Sequence, residues 1–425
     1  MAVRRAVIVV LAACATSGDS RAPRAPGVAD APAEVHSDQQ RLYTIWLGGA
    51  QVGTADETET WSRAGVVLRR VESLHFLRGD APVAITTTIE ITASPALVPS
   101  RVTWTERAGS VRQTTAVRDA RGWTVALDGA PLALPADAMP AELIPLVLRR
   151  DGQFSGAVFL PARGFVAGHG RIDPVAPSRL VARLALDAGV MVEATIDLDA
   201  DGAPARVVDG EGVIAMRATV AQAAAPFPPV DLIAATSVPL TGRRTDRLAL
   251  AGDLALPAVP GQSARPARSG LVLELAASLP GDLPPGPEGI DRSRDITAVV
   301  ASVQSRIVPD LSAGIATVRD ASSATAGDCT TFALAYAALA HRLAIPTRVV
   351  TGLRIDGDRL IRHRWAVSWT GRAWIAVDAA FGAAPAGGEL IGLAVHDADD
   401  AGLIAGEAAL THVRSAAWIT HAASR

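Results

Sequence analysis

Residues 327–348 read GDCTTFALAYAALAHRLAIPTR, and this stretch decides how the C-terminal part of the chain is read. It carries one of only two cysteines among 425 residues, placed where a helix is about to start. Asp328 is a residue type that caps helix N-termini, so Cys329 is expected in the first helical turn. Phe332, Tyr336, Leu339 and Leu343 follow at helical spacing and form one apolar stripe toward a core. The alanines between them permit close packing, and the helix ends before Ile345-Pro346 because proline cannot continue it. A thiol in that place lies among unpaired N–H groups at the positive end of the helix dipole, which favours the thiolate. The same N–H groups are suited to stabilising an oxyanion on a substrate carbonyl.

A thiolate nucleophile needs an imidazole that takes and returns its proton, and a third group that orients the ring. TRVVTGL (347–353) reads as a strand and Asp356-Gly357-Asp358 as a turn. RHRWAVSW (362–369) and AWIAVDAAF (373–381) read as two strands joined at Thr370-Gly371. With that pair as a two-residue hairpin loop, Trp369 faces Arg372, and counting outward sets His363 directly opposite Asp378. Opposed side chains share a face, with Cβ atoms about 4.5–5.5 Å apart, close enough for an imidazole–carboxylate hydrogen bond. The inference depends on the length of the turn.

Gly-Asp-Cys at a helix start, then IPTR-x-x-x-G, then H-x-W, then W-x-x-x-D resembles the transglutaminase-like superfamily with its papain-like Cys-His-Asp core. The resemblance covers roughly residues 288–395. It implies Cys329 as nucleophile, His363 as general base and acid, and Asp378 as orienting carboxylate. Trp365 and Trp374 match flanking aromatics that support the site, and Arg348 and Gly352 match framework positions. The implied chemistry is thiol acyl transfer without a cofactor. Water as acceptor gives a peptidase or amidase, and an amine gives a crosslinking transglutaminase. Two departures bear on substrate preference: Arg364 stands where alanine is common between His and Trp, and Asp378 continues as Ala379-Ala380 rather than Pro-Thr.

The N-terminus reads MAVRRAVIVVLAACATSGDS. Arg4 and Arg5 precede an apolar run too short to span a bilayer as a helix, and Leu11-Ala12-Ala13-Cys14 follows. This resembles a bacterial lipoprotein signal, which implies removal of residues 1–13 and a lipid anchor on Cys14, in the bacterial cell envelope, periplasm-facing or on the outer membrane. Cys329 is then alone in an oxidising compartment, with no disulfide partner in the mature chain.

Residues 14–40, rich in Ala, Pro, Ser and charge, read as a flexible tether. Short β-branched and aromatic runs separated by Gly, Asp and Pro fill residues 41–225, a mostly antiparallel β domain with one helix at MPAELIPLVLRR. A linker and strand-rich segment covers 226–287. The transglutaminase-like domain covers 288–395, its first helix at RDITAVVASVQSRIVPDL capped by Asp291 or Ser293, and 396–425 is a C-terminal extension. The fold class is α+β: the β domain followed by a papain-like α+β domain.

Composition narrows the function. Hydrophobic residues make up 49%, against disorder, and a net charge of -3 with no basic patch argues against nucleic acid as a partner. All 40 basic residues are arginine, so no lysine amine of this chain serves as acyl acceptor. His75 and His169 are isolated, and Asp397-Ala398-Asp399-Asp400 lacks the ligand spacing of a calcium loop, so no metal is expected. The expected function is an exported thiol acyl-transfer enzyme that hydrolyses a peptide or isopeptide bond in a protein or peptide substrate. The alternatives are an amine-accepting transglutaminase, or a non-catalytic envelope module with a degenerate site that uses its β domain to bind a partner not readable from the sequence.

Overall fold

Strict alternation of buried and exposed residues governs the first half of the chain. Gly65–Arg78, for example, keeps Val66, Leu68, Arg70, Glu72, Leu74, Phe76 and Arg78 buried while the residues between them are more open. That period of two is what a sheet with one covered face requires. The computed structural model describes residues 37–419 apart from 109, 128–129, 187–190, 201, 269 and 314–317. Cys14, the signal run and most of the expected tether lie outside the described residues.

Among the described residues, eight strands from Gln39–Leu47 to Ala130–Leu132 form one meander, and six from Phe154–Leu160 to Val213–Ala218 form a second, with Met139–Pro140 added parallel to Phe154–Leu160 at its edge. The first strand pairs with the last, Leu42 with Ala218 through Leu47 with Val213, so the two meanders make one open 15-stranded sheet. The hairpin between Leu47 and Ala50 turns on Gly48-Gly49, both at positive φ (60° and 79°), the backbone that a tight two-residue loop demands. Helix Ile144–Asp151, preceded by the 3-10 turn Ala141–Leu143, seats itself between two apolar clusters. Ile144 and Leu148 join Tyr43, Ile45 and Ile196, while Leu143, Leu146 and Val147 join Trp104, Trp123 and Phe159.

The covered side of the sheet also holds charge. Arg70 bonds Glu57 at 3.2 Å, Arg41 pairs with Glu57 and Glu59, and Arg149 pairs with Glu59. Glu142 is buried in the 3-10 turn, and neither of its carboxyl oxygens has a hydrogen-bond partner among the described residues. Burial pushes its pKa up to about 7. A carboxyl raised on folding stabilises below the ordinary carboxylate range, and that contribution is lost as pH rises through about 7. Glu142→Gln is therefore expected to raise the melting temperature by a few degrees at pH 8, where the charge costs about 3 kcal/mol, and to change it little at pH 5. Melts of the two proteins at both pH values check this.

The second sheet has ten strands. Arg359–Trp369 lies between Val238–Thr241 and Thr347–Asp356, with Leu390–His396 on the far side of the latter, and Trp374–Asp378 also pairs with Arg359–Trp369. Strands Arg247–Gly252, Gln262–Ala267 and Gly270–Leu275 extend the same sheet, and Val413–Trp418 is an interior strand between Arg247–Gly252 and Val238–Thr241. The segment read at 226–287 as a linker and strand-rich stretch and the extension at 396–425 both supply strands to the sheet that also holds Thr347–Asp356 and Arg359–Trp369. Helix Asp400–Leu410 inserts Ile404 into the apolar cluster of the first sheet, so the two halves share a core.

Candidate active site

Cys329 opens helix Cys329–Arg342, and Asp328 caps it: the carboxylate Oδ1 accepts the Thr330 N–H at 2.9 Å and the Thr331 N–H at 3.3 Å. Two of the N–H groups that the sequence offered to an oxyanion are thereby taken by Asp328. Gly327 is needed because a Cβ there would fall 2.2 Å from Thr331 Oγ1. Phe332 and Tyr336 are buried against Ile296, Val299, Val300 and Val303 of helix Ser293–Arg306. Leu343, expected on the same stripe, follows the last helical residue and is half exposed. Neither Asp291 nor Ser293 caps that first helix: its N-cap is Arg292, with no side-chain cap, while Asp291 Oδ1 accepts the Ser293 N–H at 2.9 Å just ahead of it, and the helix stops at Arg306 rather than running on through 307–311. Tyr336 Oη meets Ser368 Oγ at 2.9 Å, tying the cysteine helix to the histidine strand.

The hairpin differs from expectation in its turn. Pairing runs from Ala366–Val377 to Trp369–Trp374, so the loop has four residues, 370–373, rather than two. Thr370 holds it, with its N–H donating to Ala373 O at 2.9 Å and its Oγ1 accepting the Ala373 N–H at 3.1 Å. The register slips by two residues, one full strand period, so every side chain keeps its face. Asp378 moves from directly opposite His363 to a diagonal position, and His363 Nε2 still meets Asp378 Oδ2 at 2.8 Å. The imidazole also hydrogen-bonds Cys329, which leaves Nδ1 as the nitrogen turned to the thiol.

All three groups are buried. Burial opposes both charged forms, and their mutual attraction works against that burial. The His363 imidazole is raised to about 9 against that burial by the Cys329 thiolate and by the Asp378 hydrogen bond. The thiol is lowered from its ordinary value, again against burial, with the His363 charge and hydrogen bond pulling it down. The arrangement favours a thiolate–imidazolium pair over the neutral one.

Supporting groups lie around it. Trp365 stacks on the His363 ring with centroids 6.0 Å apart and planes 19° apart. Gly352, which pairs with His363, leaves room for both: a Cβ there would fall 2.0 Å from the Ile391 carbonyl oxygen and 2.9 Å from the Trp365 ring. Two residues that sequence reasoning missed form a rim. Phe381, largely exposed, sets its edge against His363 at 5.6 Å, and the Arg354 guanidinium lies 3.4 Å over the Phe381 ring and 3.7 Å from Asp378 Oδ2. Trp374 does not join the site. It lies at the turn end of the hairpin, against Trp369 at 5.7 Å, and donates Nε1–H to Pro284 O at 2.8 Å. Arg348 makes an exposed pair with Asp397 at 3.3 Å, an arrangement that contributes little.

Arg364, the departure noted in the sequence, is a buried tie. Its Nε donates to Thr351 Oγ1 at 2.8 Å and its Nη1 to Thr330 Oγ1 at 3.0 Å, and Nη2 pairs with Glu407. Of the acidic run, Asp399 caps helix Asp400–Leu410 through the Gly402 N–H at 2.6 Å, and Asp400 accepts the Val318 N–H at 2.9 Å. Among the described residues no group of three or more His, Cys, Asp or Glu is arranged to hold a metal ion.

Residues 288–379 match the family model of the transglutaminase-like superfamily, a span that includes Cys329, His363 and Asp378. No curated protein matches the chain. Among solved structures, a DUF1089 family protein from Pseudomonas aeruginosa aligns with 45% of this chain and 96% of its own at 12% identity, with a TM-score of 0.25, which carries no argument about fold or function.

Proposed function

We propose, on the premise that residues 288–379 form a transglutaminase-like domain, that this protein is a thiol acyl-transfer enzyme of the hydrolytic kind, acting on a peptide or isopeptide bond. The observation that carries the reading is the buried His363, hydrogen-bonded to Cys329 on one side and to Asp378 on the other. In the reaction, Cys329 Sγ attacks the carbonyl carbon, and the C–N bond breaks as His363 delivers its proton to the leaving amine. Water, deprotonated by His363, then attacks the thioester and releases the acid and the thiol. Asp378 makes no bond; it holds the ring and stabilises the imidazolium. Arg354 and Phe381 at the rim are the first groups an incoming chain meets. The proposal includes a protein or peptide substrate and an envelope location through lipid on Cys14, which loss of a lipid label in Cys14→Ser checks.

The reactive ion pair exists above the pKa of the thiol and disappears as the imidazolium loses its proton near 9. Acylation of Cys329 by p-nitrophenyl acetate, followed by intact mass against pH, is expected to give a bell with a plateau around neutrality and an alkaline limb near about 9. Decay of the adduct in water alone supports the hydrolase; decay that requires an added primary amine supports the crosslinking enzyme. A thiol that forms no adduct and titrates like a free cysteine, near about 8.5, would leave a non-catalytic module.

A further inference from the structure

The acyl-transfer reading leaves unexplained why a large β-sheet domain accompanies the site. One contact joins them at the nucleophile. Arg78, the last residue of strand Gly65–Arg78, donates Nη2–H to Asp328 Oδ2, and both side chains are buried. The two residues are 250 apart in sequence. The arginine is not reaching loosely from a surface loop. Next to it, Leu77 N–H donates to Val230 O at 2.9 Å and Gly79 N–H donates to Asp231 Oδ1 at 2.8 Å, so the hairpin tip is clamped by the chain entering the second sheet. On the other side, Asp310 N–H donates to Gly327 O at 2.9 Å, which fixes the approach to the cysteine helix.

Resting on that reading, we propose that Arg78 is a positioning residue for the Cys329 nucleophile: the β domain supplies the cation that neutralises the Asp328 carboxylate beside the thiol and locks the cap that aims the helix. Asp328 has two effects on its neighbour that oppose each other. As a cap it orders the first turn. As a buried anion adjacent to Cys329 it disfavours the thiolate. Arg78 removes the second effect and keeps the first. Asp328 Oδ2 pairs with Arg78 and Oδ1 accepts the Thr330 and Thr331 N–H groups, contacts that favour the carboxylate over the acid against its burial. Among the described residues, the other charged groups that face this corner have partners of their own. His363, with Asp378 behind it, belongs to the hairpin. Arg364 reaches Thr330 Oγ1 and is matched by Glu407. Asp310 is mostly solvated and senses Arg78.

The test uses the full-length protein and the rate of Cys329 alkylation by iodoacetamide against pH, with circular dichroism and melting as folding controls. Arg78→Met is expected to move the alkylation midpoint upward and to slow alkylation at pH 7 about tenfold, because one anion now faces the thiolate without a partner. Arg78→Lys should recover part of the loss. Asp328→Asn in the Arg78→Met background should return the midpoint to wild-type or lower, since asparagine still caps but carries no charge. If Arg78→Met alone fails to fold, the doubly substituted protein and Arg78→Lys still decide the matter by the same profile. A folded Arg78→Met with the wild-type profile overturns the proposal, as does a double mutant shifted upward as far as Arg78→Met. A wild-type thiol that titrates like a free cysteine overturns the acyl-transfer reading and this inference together. An activated wild-type thiol indifferent to Arg78 overturns this inference alone.

Discussion

Cys329→Ala is expected to lower turnover of an activated acyl ester by at least about four orders of magnitude, to the solvent background, because no other described group is placed to attack the carbonyl. Fold should survive. The thiol is small, sits in the first helical turn and is replaced by the best helix former, so the lost volume costs about 1 kcal/mol. Asp328 still caps the helix and Tyr336 still bonds Ser368. The measurement is initial-rate hydrolysis with the intact mass read in parallel, where the 42-dalton-scale acetyl adduct, roughly the mass of a ketene unit, should vanish with the thiol. Persistent turnover with an adduct at another residue would sink the assignment of the nucleophile.

The second large effect belongs to Asp378. Its Oδ2 holds His363 Nε2 at 2.8 Å, and its charge stabilises the imidazolium of the resting pair. Asp378→Asn keeps the volume but removes the charge, and an asparagine that presents its N–H to the ring favours the wrong tautomer. Activity should fall about 10² to 10⁴-fold, and the alkaline limb should move below about 9 because the imidazolium has lost its anion. Arg354, 3.7 Å from the same oxygen, retains Glu389 at 3.2 Å, so the rim keeps a partner for its cation. Combining Asp378→Asn with Cys329→Ala should cost no more than Cys329→Ala alone, since both act on one step. Near wild-type activity in Asp378→Asn would mean that another group orients the ring, and an unfolded domain would make the residue structural.

How much of this was legible in the sequence varied with the range of the interaction. Asp328 as cap, Cys329 in the first turn, and the buried faces of Phe332 and Tyr336 follow from spacing within a few residues, where helix geometry is fixed. The His363–Asp378 contact was legible although the loop was not. Thr370 supplies a turn that bonds Ala373 from both its N–H and its hydroxyl, chemistry that a glycine pair does not advertise, and the even slip preserved the face. Arg364 stood out only as a substitution in a motif; its partners Thr330 and Glu407 come from two different helices. Phe381 lies three residues past Asp378 and is an exposed aromatic at a strand end, which was a signal available to a reader. Arg354 and Arg78 carried none, since nothing local marks an arginine whose partner is Asp378 on another strand or, for Arg78, Asp328, which is 250 residues away. Strands 238–275 were visible as strands, but which sheet they join is a tertiary choice that periodicity does not encode.

The interior place of strand Val413–Trp418 sets an order of events during synthesis. It separates Arg247–Gly252 from Val238–Thr241, so until residue 418 has been made both neighbours present unpaired edges. The first sheet waits in the same way, since Leu42–Leu47 finds its second neighbour only when Val213–Ala218 has emerged, and Ile404 enters its core later still. Both closures span long stretches of chain, which slows them through loop entropy and leaves little for a nascent chain to complete piecemeal. Cys329, His363 and Asp378 all precede Val413–Trp418 in the chain, so the sheet that carries the histidine hairpin gains this interior strand after the three residues have been made.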